Sequence, residues 1–271
     1  DIDPDSATAE VAAGVVLDKL NSAAEPYGLN FGPDPASDSR ATFGGMIGNN
    51  ASGSHSVRYG MTSDHLISSK AILSDGSSAT FEPMTIKDAH ARAIMKNLEG
   101  EIYGQALRIR EVYAGAVRSD WPRTWRRASG YSLNYLVGYS PSKPAGWYDP
   151  EISYPPTSGI NLAPLMCGSE GTLAIIKRAK VKLVPTPAYK ALVTLSYPSI
   201  VSACDATLDI LESHPSAVEI MPRGLLQKAK QIPRYARKLG FIDVIPGALL
   251  VVEYVGDSLL EEKAACASLK G

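Results

Sequence analysis

From Ala7 the chain alternates strand-like residues, then at Val16–Ala24 takes on a helical spacing that Pro26 and Gly28 close. A rigid turn, Gly32-Pro33-Asp34-Pro35, leads into a run of small residues from Ala36 to Gly60 that reads as a long loop. Leu66–Leu73 alternates and meets Ser74-Asp75-Gly76-Ser77, which predicts a strand turning through a hairpin into Ala79–Phe81. Ile86 to Val117 carries the longest helical pattern, with apolar residues at Ile94, Leu98, Ile102 and Leu107, and with Gly100 and Gly104 as possible interruptions. The six prolines from Pro141 to Pro164 forbid helix and predict an excursion or lid-like loop. Leu173–Ile176 and Val181–Val184 read as strands.

After Pro185-Thr186-Pro187 the pattern changes. Strand-like Ala191–Ser196, Ala217–Met221 and Ala248–Val255 alternate with helical Val201–Ser213, Leu225 onward and Leu259 onward, a βαβ-type order that predicts a second domain. The expected domains are therefore 1–187 and 188–271. No internal repeat is visible.

Composition narrows the function. The 271 residues hold 27 Lys+Arg against 28 Asp+Glu, and 45% are hydrophobic. A near-neutral chain of this kind can bury a sizeable core, and its charge offers no case for nucleic acid or an anionic membrane as partner. No apolar run approaches the roughly 20 residues of a transmembrane helix. Cys167, Cys204 and Cys266 are three cysteines without close spacing, which suits free thiols and a cytoplasmic setting. The four histidines, His55, His65, His90 and His214, lack metal-ligand spacing, so no metal is expected; each reads as a surface or satisfied core residue.

Two segments carry chemistry. Arg40-Ala41-Thr42-Phe43-Gly44-Gly45-Met46-Ile47-Gly48-Asn49-Asn50-Ala51-Ser52-Gly53 packs four glycines into ten positions. Such a run lets main-chain N–H groups face an anion at close range, the alternative being a tightly packed loop. It is neither Gly-x-Gly-x-x-Gly nor a Walker A sequence, which disfavours nicotinamide and ATP. In the second, Cys167-Gly168-Ser169-Glu170-Gly171-Thr172-Leu173-Ala174-Ile175-Ile176, a glycine turn opens into what reads as a buried strand, able to lay backbone groups and apolar walls against a planar ring. A third feature is basic: six arginines lie between Arg108 and Arg127, interleaved with Trp121 and Trp125. Arg126 or Arg127, beside Ser129-Gly130-Tyr131, could clamp a carboxylate, or the cluster is a solvated or docking face.

Gly32-Pro33-Asp34-Pro35-Ala36-Ser37, Ala41–Gly53, Arg58-Tyr59-Gly60 with Asp64-His65, and Gly168-Ser169-Glu170-Gly171-Thr172-Leu173 together resemble the FAD-linked oxidases. The likeness is to the vanillyl-alcohol oxidase / p-cresol methylhydroxylase superfamily, in its D-lactate, glycolate and D-2-hydroxyglutarate dehydrogenase branch. It implies an α+β fold: the second half of a PCMH-type FAD-binding domain, an antiparallel sheet with flanking helices, followed by part of an α/β cap. It implies FAD as cofactor, with Ala36, Ser37, Asp38, Ser39 and Thr42 along it. Gly44, Gly45, Asn49, Asn50, Ala51, Ser52 and Gly53 would cradle the phosphates and ribityl chain, and Tyr59 and Gly60 would shape the same wall. Glu170, Gly171, Thr172, Leu173, Ile175 and Ile176 would form the second contact segment. The implied activity is hydride transfer from a small D-2-hydroxy acid, of the lactate, glycolate or 2-hydroxyglutarate kind, to flavin, with Arg126, Arg127 and Tyr131 as substrate candidates and an electron acceptor that stays unidentified. The resemblance also implies a fragment, missing the family's N-terminal pyrophosphate loop and C-terminal His-containing stretch. The competing expectation is an inert fragment or interaction module that keeps the fold without FAD.

Overall fold

A computed structural model describes residues 1–124, 126–128, 130–139 and 159–256. The described chain divides into two compact units, Asp1–Thr186 and the part from Pro187 on. Most of the proline-rich run, Trp125, Ser129 and the helical pattern from Leu259 lie outside the described residues.

The first unit opens with β1 (Ile2–Asp3), β2 (Thr8–Ala12), α1 (Leu17–Ala24) and β3 (Leu29–Asn30). The small-residue run that reads as loop in fact contains α2 (Phe43–Gly48) and α3 (Ser56–Tyr59), followed by α4 (Thr62–His65). Three glycines do not prevent the single turn and a half of α2, because Phe43, Met46 and Ile47 are all 2% exposed or less and tertiary burial outweighs weak propensity. Thr42 caps it, accepting the Gly45 N–H at 3.4 Å.

Next come β4 (Leu66–Ile72), β5 (Ser78–Phe81), β6 (Met84–Thr85), α5 (Ile86–Ala93), α6 (Leu98–Asp120), β7 (Gly159–Ile160), β8 (Ile175–Lys182) and β9 (Val184–Pro185). The strand order β1-β2-β8-β4-β5 makes one antiparallel sheet. Ala9, Ala71, Ala79, Ala179 and Val181 are buried in the same core as Phe31, Phe43 and Tyr103. Lys70, Arg178 and Lys180 occupy the opposite side of the pleat, exposed, as period-two alternation requires. The longest helical pattern is two helices, broken at Ile94–Asn97 rather than at either glycine.

The second unit holds β10 (Tyr189–Tyr197), α7 (Ile200–Glu212), β11 (Ala217–Pro222), α8 (Arg223–Lys230), α9 (Pro233–Lys238) and β12 (Ala248–Gly256). The βαβ order places β10 and β11 parallel, but β12 inserts between them and pairs antiparallel with both. Its core is separate, with Ala203, Ile210, Leu250 and Val252 in one cluster and Leu226, Ile242 and Leu249 in another.

Candidate functional site

The two glycine-rich segments meet. The Gly168 N–H donates to the Ile47 carbonyl at 3.1 Å and the Glu170 N–H to the Gly48 carbonyl at 2.8 Å, so residues more than a hundred positions apart share one surface. Gly45 and Asn49 on one side, and Glu170, Gly171, Thr172 and Leu173 on the other, are exposed there. Glu170 adopts a φ of 49° and Gly171 a φ of 79°, a left-handed turn that ends the segment's contact with Gly48.

The strand after this turn differs from the buried strand read from sequence. β8 starts only at Ile175, which is 68% exposed, and Leu173 is 40% exposed; burial begins at Ala179. Apolar side chains left in the open beside a glycine turn fit a ring-binding wall better than a strand core.

Ala36, Ser37 and Ser39 are exposed, Asp38 half-buried. Asp34, at φ 47°, pairs with His55 Nδ1 at 2.7 Å, and the Ser56 hydroxyl donates to the Pro33 carbonyl at 3.2 Å. These contacts stitch the first turn to the end of the glycine run. The approach is so close that a Cβ on Gly53 would stand 1.7 Å from the Asp34 carbonyl oxygen.

Behind this surface lies a buried polar layer. Asp64 accepts the Met61 N–H at 2.7 Å and the Tyr135 hydroxyl, which also reaches Ser63 Oγ at 3.0 Å. Burial pushes the Asp64 carboxyl up to about 6 against those hydrogen bonds and the nearby Arg127 charge. Burial also raises the Cys167 thiol and the Tyr135 phenol, in both cases with the Asp64 charge adding to it. His65 is pushed down to about 4 by burial, with its ring nitrogens near the carbonyls of Tyr59 (2.8 Å) and Lys182 (3.3 Å).

Several sequence candidates turn inward. Tyr59 and Gly60 are buried; the Tyr59 ring packs on Gly32 and Val184, with the Arg58 guanidinium 5.6 Å from its centroid. Asn50 is 3% exposed, unlike its exposed neighbour Asn49. Arg126 Nη2 donates to the Gly53 carbonyl at 3.0 Å, and Arg127 lies 5.2 Å over the Trp121 ring and donates to the Thr124 carbonyl at 3.1 Å. Tyr131 bonds Thr172 at 3.0 Å; because the Thr172 hydroxyl itself donates to the Ser169 carbonyl at 2.6 Å, Tyr131 is the donor. The sequence pointed to none of Asp34, His55, Ser63 or Tyr135 as partners, and Asp64 entered only as part of a resemblance. Their signal is pairing across the fold, which no local pattern carries.

The residues on the surface suit a flavin nucleotide: small, exposed backbone at Gly45 and Gly171, and uncovered apolar walls at Leu173 and Ile175. Residues 1–82 match the family model "FAD binding domain". The chain is 30% identical over 251 residues to a D-2-hydroxyglutarate dehydrogenase of Pantoea ananatis, covering 91% of this chain and 23% of that protein. The corresponding Escherichia coli protein is 28% identical over 99% of this chain and 26% of its own length. A D-lactate dehydrogenase of Archaeoglobus fulgidus is 24% identical over 86% of this chain and 37% of its length. The chain thus spans about a quarter of the length of the D-2-hydroxyglutarate dehydrogenases it matches. Among solved structures, an alkyldihydroxyacetonephosphate synthase superposes with a TM-score of 0.58 at 18% identity, covering 100% of this chain and 38% of that one, which shows the likeness of fold.

Proposed function

We propose that this chain is part of an FAD-dependent dehydrogenase that oxidises a small D-2-hydroxy acid, a reading supported by the match of residues 1–82 to the family model "FAD binding domain". In this reading residues 1–187 are a portion of the FAD-binding domain and 188–271 begin the substrate or cap domain. The observation that carries it is the hydrogen-bonded union of the two glycine-rich segments, through Ile47 and Gly48 with Gly168 and Glu170, into one exposed, small-residue surface. FAD, when bound, supplies the acceptor for the hydride leaving the carbinol carbon. The chain's own residues bind and orient: the small residues Gly44, Gly45, Asn49 and Ala51–Gly53 let phosphates and ribityl approach closely, although the N–H groups of Gly44, Asn49, Ala51 and Gly53 donate within the protein, with Ala36–Ser39 and Thr42 along the diphosphate side and Glu170–Ile176 as the second wall. The relatives' names support D-2-hydroxyglutarate or D-lactate as the substrate class, and electrons pass on to an acceptor of unidentified nature. No described helix is long and apolar enough to cross a membrane; the proposed setting is the cytoplasm.

The absorption spectrum of the purified chain, before and after incubation with excess FAD and desalting, tests this. Retained flavin bands, followed by turnover with D-2-hydroxy acids, are expected. A colourless protein would favour the second reading, a fold-keeping fragment that does not hold FAD by itself. Arg126, Arg127 and Tyr131 are the proposed substrate contacts. In the enzyme containing this chain, Arg126→Ala with Arg127→Ala is expected to raise KM for 2-hydroxy acids about tenfold or more, the worth of a charged hydrogen bond. An unchanged KM would remove the carboxylate clamp.

A further inference from the structure

Adjacent asparagines of identical chemistry meet opposite fates in the glycine-rich segment. Asn49 is exposed, whereas Asn50 is 3% exposed and holds a φ of 50°, which turns its side chain away from the shared surface. Inside, Asn50 Nδ2 donates to the Arg127 carbonyl at 2.9 Å, and Asn50 Oδ1 accepts the Ser63 N–H at 2.9 Å. Both polar ends of the amide are therefore engaged within the protein. Ser63 is in turn held by Tyr135.

The contacts continue outward on both sides. The Ala51 carbonyl accepts from the Thr62 N–H (3.0 Å) and the Thr62 hydroxyl (2.7 Å), while the Ala51 N–H donates to the Met46 carbonyl at 2.8 Å. Arg126 holds the Gly53 carbonyl, the Arg127 N–H faces Met61 Sδ at 3.2 Å, and Ser132 Oγ donates to the Cys167 carbonyl at 3.4 Å. Tyr131 reaches the second segment at Thr172. Arg126, Arg127, Tyr131, Ser132 and Tyr135 thus hold both halves of the surface, with Asn50 joining that hold to the loop.

We propose that Asn50 is a positioning residue rather than a cofactor contact, that its amide locks the Asn49–Gly53 loop to Arg127 and Ser63, and that Asn49 is the member of the pair that faces the flavin. The flavin part rests on the function proposed above; the locking part does not. An ordinary loop needs only a residue that tolerates positive φ, and glycine meets that need without any side chain. Asn50→Gly therefore keeps the backbone conformation accessible and deletes the bridge alone.

The test is residue-resolved amide exchange together with FAD titration on the purified chain, for the parent, Asn50→Gly and Asn49→Ala. Ala51 and Thr62 are the informative amides, since neither bonds Asn50 directly. In Asn50→Gly they are expected to exchange on the order of tenfold faster, as the loss of two hydrogen bonds implies, and FAD is expected to bind about tenfold more weakly. Asn49→Ala should weaken FAD with exchange at Ala51 and Thr62 unchanged. Unaltered exchange in Asn50→Gly would overturn the lock. Faster exchange with undiminished FAD affinity would overturn its service to the flavin. If the parent binds no FAD, the functional reading falls with that result, and the exchange arm still decides the lock.

Discussion

At the scale of single residues, Asp64 and His65 are neighbours buried with opposite consequences for pH. Asp64 titrates near 6 in the fold against about 4 for an ordinary carboxylate, so between those values the folded chain keeps a proton that the unfolded chain has lost. Its contribution to stability is present at low pH and disappears as pH rises through 6. His65 titrates near 4 against an ordinary 6.5, so the unfolded chain gains a proton that the folded chain refuses. Its contribution is present above 6.5 and is lost as pH falls toward 4. Each effect is worth on the order of 3 kcal/mol, and over pH 4–6 they oppose each other. The two single variants should therefore tilt in opposite directions: Asp64→Asn loses stability on acidification from pH 6.5 to 4.5, and His65→Gln gains it. Urea midpoints at several pH values check this, and parallel slopes in both variants would refute the assignment.

At the scale of elements, the α5–α6 pair shows how one residue type carries different meanings. Gly100 occupies the first turn of α6, where Asn97 caps the helix by accepting its N–H at 2.9 Å. A Cβ there would stand 2.2 Å from the Met95 carbonyl oxygen, so the glycine lets the chain double back between the helices. Gly104 lies in the interior of the same helix, and a Cβ there would meet only the Ala93 methyl at 4.0 Å. Gly104→Ala is expected to be neutral to stabilising, by up to about 1 kcal/mol from helix propensity. Gly100→Ala should destabilise by more than about 1 kcal/mol, because backbone must move. Thermal unfolding of the two variants separates them.

At the scale of the whole molecule, each unit owns its core. Among the described residues the largest cluster draws only on those before Pro187, including Phe31, Phe43, Phe81, Tyr103 and Leu183, while Val252 and Leu226 belong to clusters beyond it. The Asp1–Thr186 unit is expected to fold when expressed alone, with a cooperative transition seen by far-ultraviolet circular dichroism; a non-cooperative melt would show that its core depends on the second unit. Since both glycine-rich segments lie within this unit, its FAD affinity should match that of the 271-residue chain.

Much of this architecture was legible in the sequence. Period-two and helical spacing predict β2, α1, β4, β5, β10, α7, β11 and β12 because each buries one face, and burying one face imposes a periodicity on neighbours in the chain. The glycine-rich segments were visible because close backbone approach excludes side chains, as at Gly53 beside the Asp34 carbonyl, and composition records that exclusion. What tertiary structure alone decided is pairing. β12 sits between β10 and β11, α2 forms despite its glycines because Phe43, Met46 and Ile47 find a core, and Ile175 lies open rather than buried. The same holds for Asn49 and Asn50, identical in sequence and separated by a single φ value and by Ser63 and Arg127, partners 13 and 77 positions away. Local spacing encodes which face of an element is apolar; only the closed fold determines what that face, or a polar side chain among it, meets.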